Sequence, residues 1–356
     1  MKKPLVNVKI PSIKRLRRRK EDEPAPSRIT NETVAEHRER ILAGGRKFKY
    51  PVQYAKHKLV FNAIIITVAV LILAVLIGWW QLYPAQNTSA LMYRITRIAP
   101  VPVAVVNGEQ VPYRDYLLQY RVSEYYHEKF GEIKLNTPDG KRLLDYDKRQ
   151  SLNNAEQVAY ARQLSHQLGV TVSKEDVDSH IDKERNMLNG RATQETYDAS
   201  IKMYLGQTTE DYRLSVKNGI LKRKVAFALD KDAEAQAKRA KELADTTNAD
   251  FSKVAEQLAG SKGAKAVIGQ SGMVDTTSRY GGLRVDEIAK LNVGDVSGIL
   301  KSSTTDDGYY IVKVMNKTDA QIDFAYIHVP LSKFEADFAA LKKSGKITEY
   351  IKLTDQ

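Results

Sequence analysis

Six histidines (His37, His57, His127, His166, His180 and His328) and no cysteine set the chemistry open to this 356-residue chain. Without a thiol, neither cysteine catalysis nor a Cys-ligated metal is available, and no disulfide can staple the fold. The histidines are scattered, with no H-E-x-x-H or related spacing, so no metal site is read and no cofactor is expected. G-x-S-x-G, Walker and dinucleotide fingerprints are missing as well, which argues against hydrolytic and nucleotide chemistry. One pair stands apart. In DFAYIHVPL (323–331), Tyr326 and His328 alternate along a strand-like run, so a phenol and an imidazole share one face. A lone histidine in a strand is more often structural, and both readings stay open.

These residues sit far from a segment that decides where they work. Leu59 to Leu82 (LVFNAIIITVAVLILAVLIGWWQL) is one apolar run broken only by Asn62, Thr67 and Gln81. At about 1.5 Å per residue it reaches roughly 36 Å, enough to cross a bilayer core of about 30 Å. Trp79, Trp80 and Tyr83 gather at its far end, as an aromatic belt does. No polar face exists, so a buried core helix is disfavoured against a transmembrane helix over 58–83. Residues 1–58 carry 17 Lys/Arg against 6 Asp/Glu, a net +11 of the chain's +13, leaving +2 for the rest. Positive residues stay inside, so the expected topology is single-pass in the cell membrane, N-terminus cytoplasmic and C-terminal domains extracytoplasmic. A cleaved signal peptide fits badly, because the basic segment and the apolar run are both too long and no A-x-A-like site follows.

KRLRRRK (14–20) admits contact with nucleic acid or with anionic lipid head groups. Without interleaved aromatics or a recognisable fold, 1–57 reads instead as a topology determinant and a largely disordered cytoplasmic arm. Anionic lipid contact is kept open and no nucleic acid is expected. His37, among Glu36, Arg38, Glu39 and Arg40, belongs to a short solvated helix.

Beyond the apolar run, 84–100 reads as a polar linker. PVAVVNGEQVPYRDYLLQY then opens with two short strands around Asn107–Gly108, a pair that tolerates positive φ at both positions and favours a type I′ hairpin. Helical stripes follow. Ala155, Val158, Ala161, Leu164 and Leu168 recur at three to four residues and stop at Gly169; Asp139–Gly140 marks a loop before them. Ser173 with Asp176 and Thr208 with Asp211 open two further helices. Near the end, Lys333 to Lys343 reads as a helix stopped by Ser344–Gly345, with Phe334, Phe338 and Leu341 on its buried face. The fold class is α+β.

The opening VAVVNGEQVPYRDYL, the turn LGVTVSKEDVDSHI and the helix LGQTTEDYRLSVKNGILKRKV, in that order over 101–229, resemble the N-terminal chaperone domain of SurA/PrsA-type extracytoplasmic foldases. Residues 230–318 resemble a parvulin-type peptidyl-prolyl isomerase domain with a small antiparallel sheet. DAEAQAKRAKELA and ADFSKVAEQL look like its first helices, GQSGMV and LNVGDVSGIL like its middle turns and DDGYYIVKVM like its last strand. The family's first strand, bearing His-Ile-Leu, is missing between Phe227 and Ala233. Within 319–356, Phe324–Val329 offers a replacement. As the family's first and last strands are antiparallel neighbours, it either pairs with 309–315 in permuted order or returns with the tail to the chaperone domain.

The isomerase resemblance implies a site with histidines on the first and last strands, a nearby Asp or Cys, and an apolar floor for the proline ring. Here the last-strand histidine position is taken by Tyr310, the Asp/Cys position falls near Ser261, and His328 supplies the one imidazole in reach. Candidate catalytic residues are therefore Tyr310, His328 and Ser261. Candidate substrate-binding residues are Met273, Leu283, Val285 and Ile288, which suit a plain core equally well. Rotation about X–Pro faces a barrier of about 18–20 kcal/mol set by amide resonance, and needs a pocket and polar groups that favour the twisted amide, not a nucleophile.

The leading expectation is a membrane-anchored extracytoplasmic chaperone or foldase holding unfolded or nascent secreted polypeptides in apolar grooves between its two domains, with a divergent isomerase domain. The alternatives are an active peptidyl-prolyl isomerase, and a non-catalytic membrane scaffold docking a partner through the basic arm.

Overall fold

The apolar run folds as the greater part of one long helix. The computed structural model describes residues 30–353 except 50, 188–189, 248–249, 260–265 and 305–306; the KRLRRRK cluster and Ser261 lie outside the described residues. The chain divides between Leu76 and Ile77. On the first side, α1 (Asn31–Lys49) precedes α2 (Pro51–Leu82), whose stretch Lys58–Leu82 is long and apolar enough to cross a membrane by length and composition.

From Ile77 onward the chain builds two lobes. The stretch read as a linker is itself helical: α3 (Ala90–Ile98) starts at Ser89, whose hydroxyl accepts the Met92 N–H, and buries Met92, Tyr93 and Thr96. Three buried contacts and a cap outweigh the polar look of the flanking residues. Strands β1 (Pro102–Val106) and β2 (Glu109–Pro112) form the hairpin, with Asn107 at φ 48° and Gly108 at φ 92°, both positive as a type I′ turn demands.

Helices α4 (Tyr113–Phe130) and α5 (Pro138–Leu168) pack across this hairpin around the fully buried Tyr113, Tyr116, Leu117 and Leu152. Asp139 and Gly140, expected in a loop, occupy the first turn of α5. Thr137 caps it by accepting the Gly140 N–H, and Pro138 suits the first helical position. A Cβ on Gly140 would lie 2.3 Å from the Lys134 carbonyl oxygen, so the glycine serves a close approach, not a turn. Gly169 ends α5 in the left-handed region at φ 65°. The lobe continues through α6 (Lys174–Arg185), the short strands β3 (Asn186–Met187) and β4 (Gly190–Arg191), α7 (Gln194–Leu205) and α8 (Thr209–Leu229). Ser173 with Asp176 forms a full capping box, and Thr208 accepts the Asp211 N–H.

The second lobe starts with α9 (Lys231–Thr246) and α10 (Phe251–Ala259) and continues as β5 (Val267–Gln270), β6 (Val274–Asp275), β7 (Arg279–Tyr280), β8 (Leu283–Arg284), α11 (Val285–Ile288), β9 (Leu300–Lys301), β10 (Gly308–Lys317) and β11 (Gln321–Pro330). Ala240 and Ala244 of α9 are small enough to lie against Ile311 and Ile327 of the sheet. The five-stranded antiparallel sheet runs β5-β11-β10-β9, with β6 on the far part of β11. Phe324–Val329 therefore sits at its centre: it pairs with Val314–Tyr309 on one edge, and Ala325–His328 pair with Gln270–Val267 on the other.

After β11 the chain returns to the helical lobe. α12 (Lys333–Lys343) lays Phe334 and Phe338 on Tyr160 at ring separations of 5.3 and 6.0 Å. β12 (Ile347–Glu349) pairs antiparallel with β1, and Arg149 Nη1 reaches Glu349 Oε1 at 2.7 Å. The second lobe is thus an insertion in the helical lobe. Asp230 sits at both crossings, 2 % exposed: its carboxylate accepts the Ala233 N–H that caps α9 and the N–H groups of Ser332 and Lys333 where the chain comes back.

Candidate functional site

Tyr310 and His328 face each other across β10 and β11. They are register partners, and their rings stack with centroids 4.3 Å apart and 19° between planes. What joins them is a residue the sequence reading passed over. Asp307 precedes β10 and turns its carboxylate back over the pair. It accepts from His328 Nε2 at 2.9 Å, from the Tyr310 hydroxyl at 3.0 and 3.1 Å, from Ser302 Oγ at 2.8 Å and from the Gly282 N–H at 3.2 Å. Gly308 makes that turn possible, with φ 143° and no side chain to strike the Val329 carbonyl oxygen, which a Cβ would approach to 2.2 Å.

The electrostatics follow from the same contacts. Partial burial pushes the Asp307 carboxyl up, but the bonds from His328, Ser302 and Tyr310 outweigh it and bring it down to about 2. Tyr310 moves the other way: burial, then the adjacent Asp307 charge, holds its phenol well above the ordinary tyrosine range. His328 Nε2 also lies 3.1 Å from the Asp307 carbonyl oxygen. Two acceptors on one ring nitrogen put the proton there.

Below this cluster, Leu283, Val285 and Ile288 are 3, 0 and 1 % exposed and pack with Tyr310, Val312 and Phe324 as core. Met273 is 41 % exposed and stands apart from that core. An aromatic row extends the site along β11. Tyr280 meets Phe324 at 5.4 Å and Tyr326 at 5.6 Å, and Tyr326 meets Tyr310 at 5.9 Å. Gly269 lies opposite Tyr326 in register, and a Cβ there would come within 2.3 Å of the Tyr326 hydroxyl oxygen. The ring lies across β5 because that position is glycine.

Chemically, the Tyr310 O–H and the His328 Nε2–H are both directed at one carboxylate. That arrangement ties the Ser302 and Asp307 ends of a loop to the hairpin. A donor set waiting for a twisted amide would instead point into open space. DDGYY does place an acid directly before a glycine at the mouth of the strand, but nothing in that stretch names its partners Ser302 and His328. Among the described residues, no three His, Asp or Glu side chains converge as a metal site requires.

Where the lobes meet, a cavity of about 420 Å³ opens between α6 and the β7–β8 hairpin. Apolar grooves were expected there. The lining residues, Lys183, Glu184, Asn186, Thr277, Ser278, Arg279, Arg284 and Asp286, are all polar or charged in type, but most of the wall they present is carbon. Arg284 grips Asp286 through Nε and Nη2 at 3.0 and 2.5 Å and reaches the Lys183 carbonyl oxygen across the cleft at 3.4 Å. Glu184 accepts from the hydroxyls of Tyr197 and Tyr212 at 2.5 and 2.6 Å. Burial pushes that carboxyl up, but His180, Tyr197 and Tyr212 hold it down at about 2.

No curated protein matches this chain. Residues 53–226 match the family model described as SurA-like N-terminal domain, a span running from the apolar helix α2 into α8 and containing most of the stretch read as SurA-like in the sequence.

Proposed function

We propose that this chain is a membrane-anchored extracytoplasmic chaperone that holds unfolded secreted or membrane polypeptides. The observation that carries the reading is the SurA-like match over 53–226, which joins the apolar helix and the helical lobe in one family unit. The anchor is Lys58–Leu82, and the +11 carried by residues 1–58 keeps the N-terminus cytoplasmic. Both lobes then work outside. The second lobe is read as a divergent parvulin-like domain in which β11 stands beside the last strand β10, where that family has its first strand.

In this reading the second lobe binds peptide more than it isomerises. Support comes from Asp307, which engages the Tyr310 hydroxyl and the His328 Nε2–H, and from Leu283, Val285 and Ile288, which are packed as core. The polar inter-lobe cleft suits backbone amides and charged side chains of an extended client.

The test uses the full chain in lipid nanodiscs. Suppression of aggregation of a chemically unfolded client is expected, with no acceleration in a protease-coupled prolyl assay. Aggregation at the rate seen with empty nanodiscs would remove the chaperone reading. One observation favours a second reading, active isomerisation: the stacked Tyr310 and His328. A prolyl rate enhancement lost in both Tyr310→Phe and His328→Ala would establish it.

A further inference from the structure

Helix α3 carries two apolar faces, and the fold uses only one. Met92, Tyr93 and Thr96 are buried in the helical lobe. Leu91, Ile95 and Ile98 are 62, 38 and 87 % exposed. At 3.6 residues per turn these three fall within about 60° of arc, a continuous outward stripe. Arg94 borders it, exposed, and Arg97 lies further round, held by Glu210 at 2.9 Å.

The position of α3 is fixed against the end of the apolar helix. Leu82 is 4 % exposed, its carbonyl accepts the Tyr113 hydroxyl at 2.6 Å, and Tyr83 donates its hydroxyl to the Pro102 carbonyl at 2.7 Å. The last turn of α2 is therefore part of the folded lobe and not the start of a loose tether. The chain then doubles back. The Asn87 N–H reaches the Gln81 carbonyl at 2.8 Å, and its side-chain amide reaches Gln81 Oε1 at 2.7 Å. Only Thr88 and Ser89 separate Asn87 from the start of α3, a reach of at most about 10 Å. Trp79 and Trp80, directly before Gln81, are 56 and 54 % exposed and mark the level where indole rings settle in a bilayer. Each interfacial zone of a bilayer is about 5–8 Å deep. The first turn of α3 thus lies at or next to head-group depth.

We infer that α3 is an interfacial helix: its Leu91, Ile95 and Ile98 stripe enters the outer face of the same bilayer that α2 crosses, with Arg94 at the phosphate level. The inference rests on the membrane-anchor reading. It turns a point attachment into a surface attachment. An apolar stripe flanked by arginine on a helix of low net hydrophobicity is the pattern that binds such a surface.

The absence of native cysteine makes the test direct. Single variants Ile98→Cys, Leu73→Cys and Val293→Cys of the full chain are labelled with an environment-sensitive fluorophore in nanodiscs of mixed neutral and anionic lipid. Leu73 lies within the apolar span, and Val293, 58 % exposed, is the aqueous reference. The expected result is strong quenching of the Ile98→Cys label by lipids carrying a nitroxide near the head group. Iodide should quench that label several-fold less than the Val293→Cys label. If Leu73→Cys is quenched by deep nitroxides while Ile98→Cys behaves like Val293→Cys, the anchor stands and the interfacial helix is overturned. Failure of the Leu73→Cys label to meet lipid quenchers overturns the anchor reading itself. Protection of Ile98→Cys from iodide without lipid quenching, together with Cys–Cys crosslinking between copies, assigns the stripe to a second copy of the chain and also overturns the proposal.

Discussion

Glu156 is the group whose removal should stabilise the protein. It sits on α5 with 0 % exposure, its two carboxyl oxygens accept no hydrogen bond among the described residues, and Lys342 Nζ stands 3.7 Å away. Burial first, and then the nearby Glu349 carboxylate, raises it from its ordinary 4.5 to about 7, against the pull of Lys342 and Arg149. The sign is that of a raised carboxyl. Its contribution is fully favourable below pH 4.5, where folded and unfolded chains both hold the proton. It is lost as pH rises toward 7, because the unfolded chain ionises first. At about 1.4 kcal/mol per pH decade, the loss amounts to about 3 kcal/mol once the pH exceeds 7.

Glu156→Gln mimics the protonated carboxyl and cannot ionise. The variant should match the parent near pH 4.5 and exceed it by about 3 kcal/mol at pH 8, or roughly 6–12 °C in Tm for a lobe of this size. Thermal unfolding of the full chain in nanodiscs, followed by the helical circular dichroism at half-unit pH steps, reads this directly. The informative quantity is the difference between variant and parent, since titrating groups remote from Glu156 cancel in it and only the neighbouring Glu349 shifts with it. A difference that stays flat from pH 4.5 to 8 would refute the reasoning, whatever its absolute value.

Asp307→Asn tests the opposite sign. The depressed carboxyl supports the fold above about pH 4 and stops doing so as pH falls toward 2, so the variant should lose about 2 kcal/mol at pH 7 and little at pH 2, read from urea midpoints. Phe338→Ala removes a 3 % exposed ring packed at a tilt against Tyr160 and should cost about 3–5 kcal/mol. Hydrogen exchange should then rise at Ile347–Glu349 and β1 before it rises in β10 or β11. Asp230→Ala deletes an N-cap, worth about 1 kcal/mol, and a charged acceptor for two more N–H groups, worth about 1.5 kcal/mol or more. Faster exchange confined to the start of α9 and to Ser332–Lys333 is expected, and a uniform loss of protection across the second lobe would contradict the clip.

What could be read before folding was whatever neighbouring residues decide between themselves. Asn107–Gly108 announces its positive φ angles, Ser173 and Thr208 announce their helix starts, and Gly169 and Gly345 mark helix ends at φ 65° and 70°. The tail helix runs over Lys333–Lys343 as its Phe334–Phe338 spacing implied. Readings failed where a distant partner overrode a local cue. Asp139–Gly140 looks like a turn until Thr137 caps it and the Lys134 carbonyl fills the space a Cβ would need. The segment 84–100 looks like a linker because nothing in it shows that Met92 and Tyr93 have a core to enter. At the site, Tyr310 and His328 were legible as residues of interest, but Asp307 was not. Its role depends on a β10–β11 register and on Ser302, neither of which a local pattern encodes. The polar inter-lobe cleft was invisible for the same reason, since α6 and β7–β8 are strangers in sequence.

The two ends of the folded region meet on one strand, and this constrains how the molecule can work. β1 takes β2 on one edge and β12 on the other, so the sheet beneath the helical lobe is complete only when the last described residues arrive. Tyr83, at the exit of the apolar helix, packs edge-on against Tyr113 and Tyr350 at 5.9 and 6.4 Å, and the Gln86 side chain donates to the Lys352 carbonyl at 2.8 Å. The C-terminal segment is therefore the piece that locks the lobe to the end of α2. The entropic cost of closing so long a loop grows only slowly with its length, and the inserted second lobe brings Ser332 back onto Asp230. The two lobes that bound the cleft between α6 and β7–β8 meet at Asp230, at the Phe227–Tyr309 ring contact and where Arg284 reaches the Lys183 carbonyl oxygen.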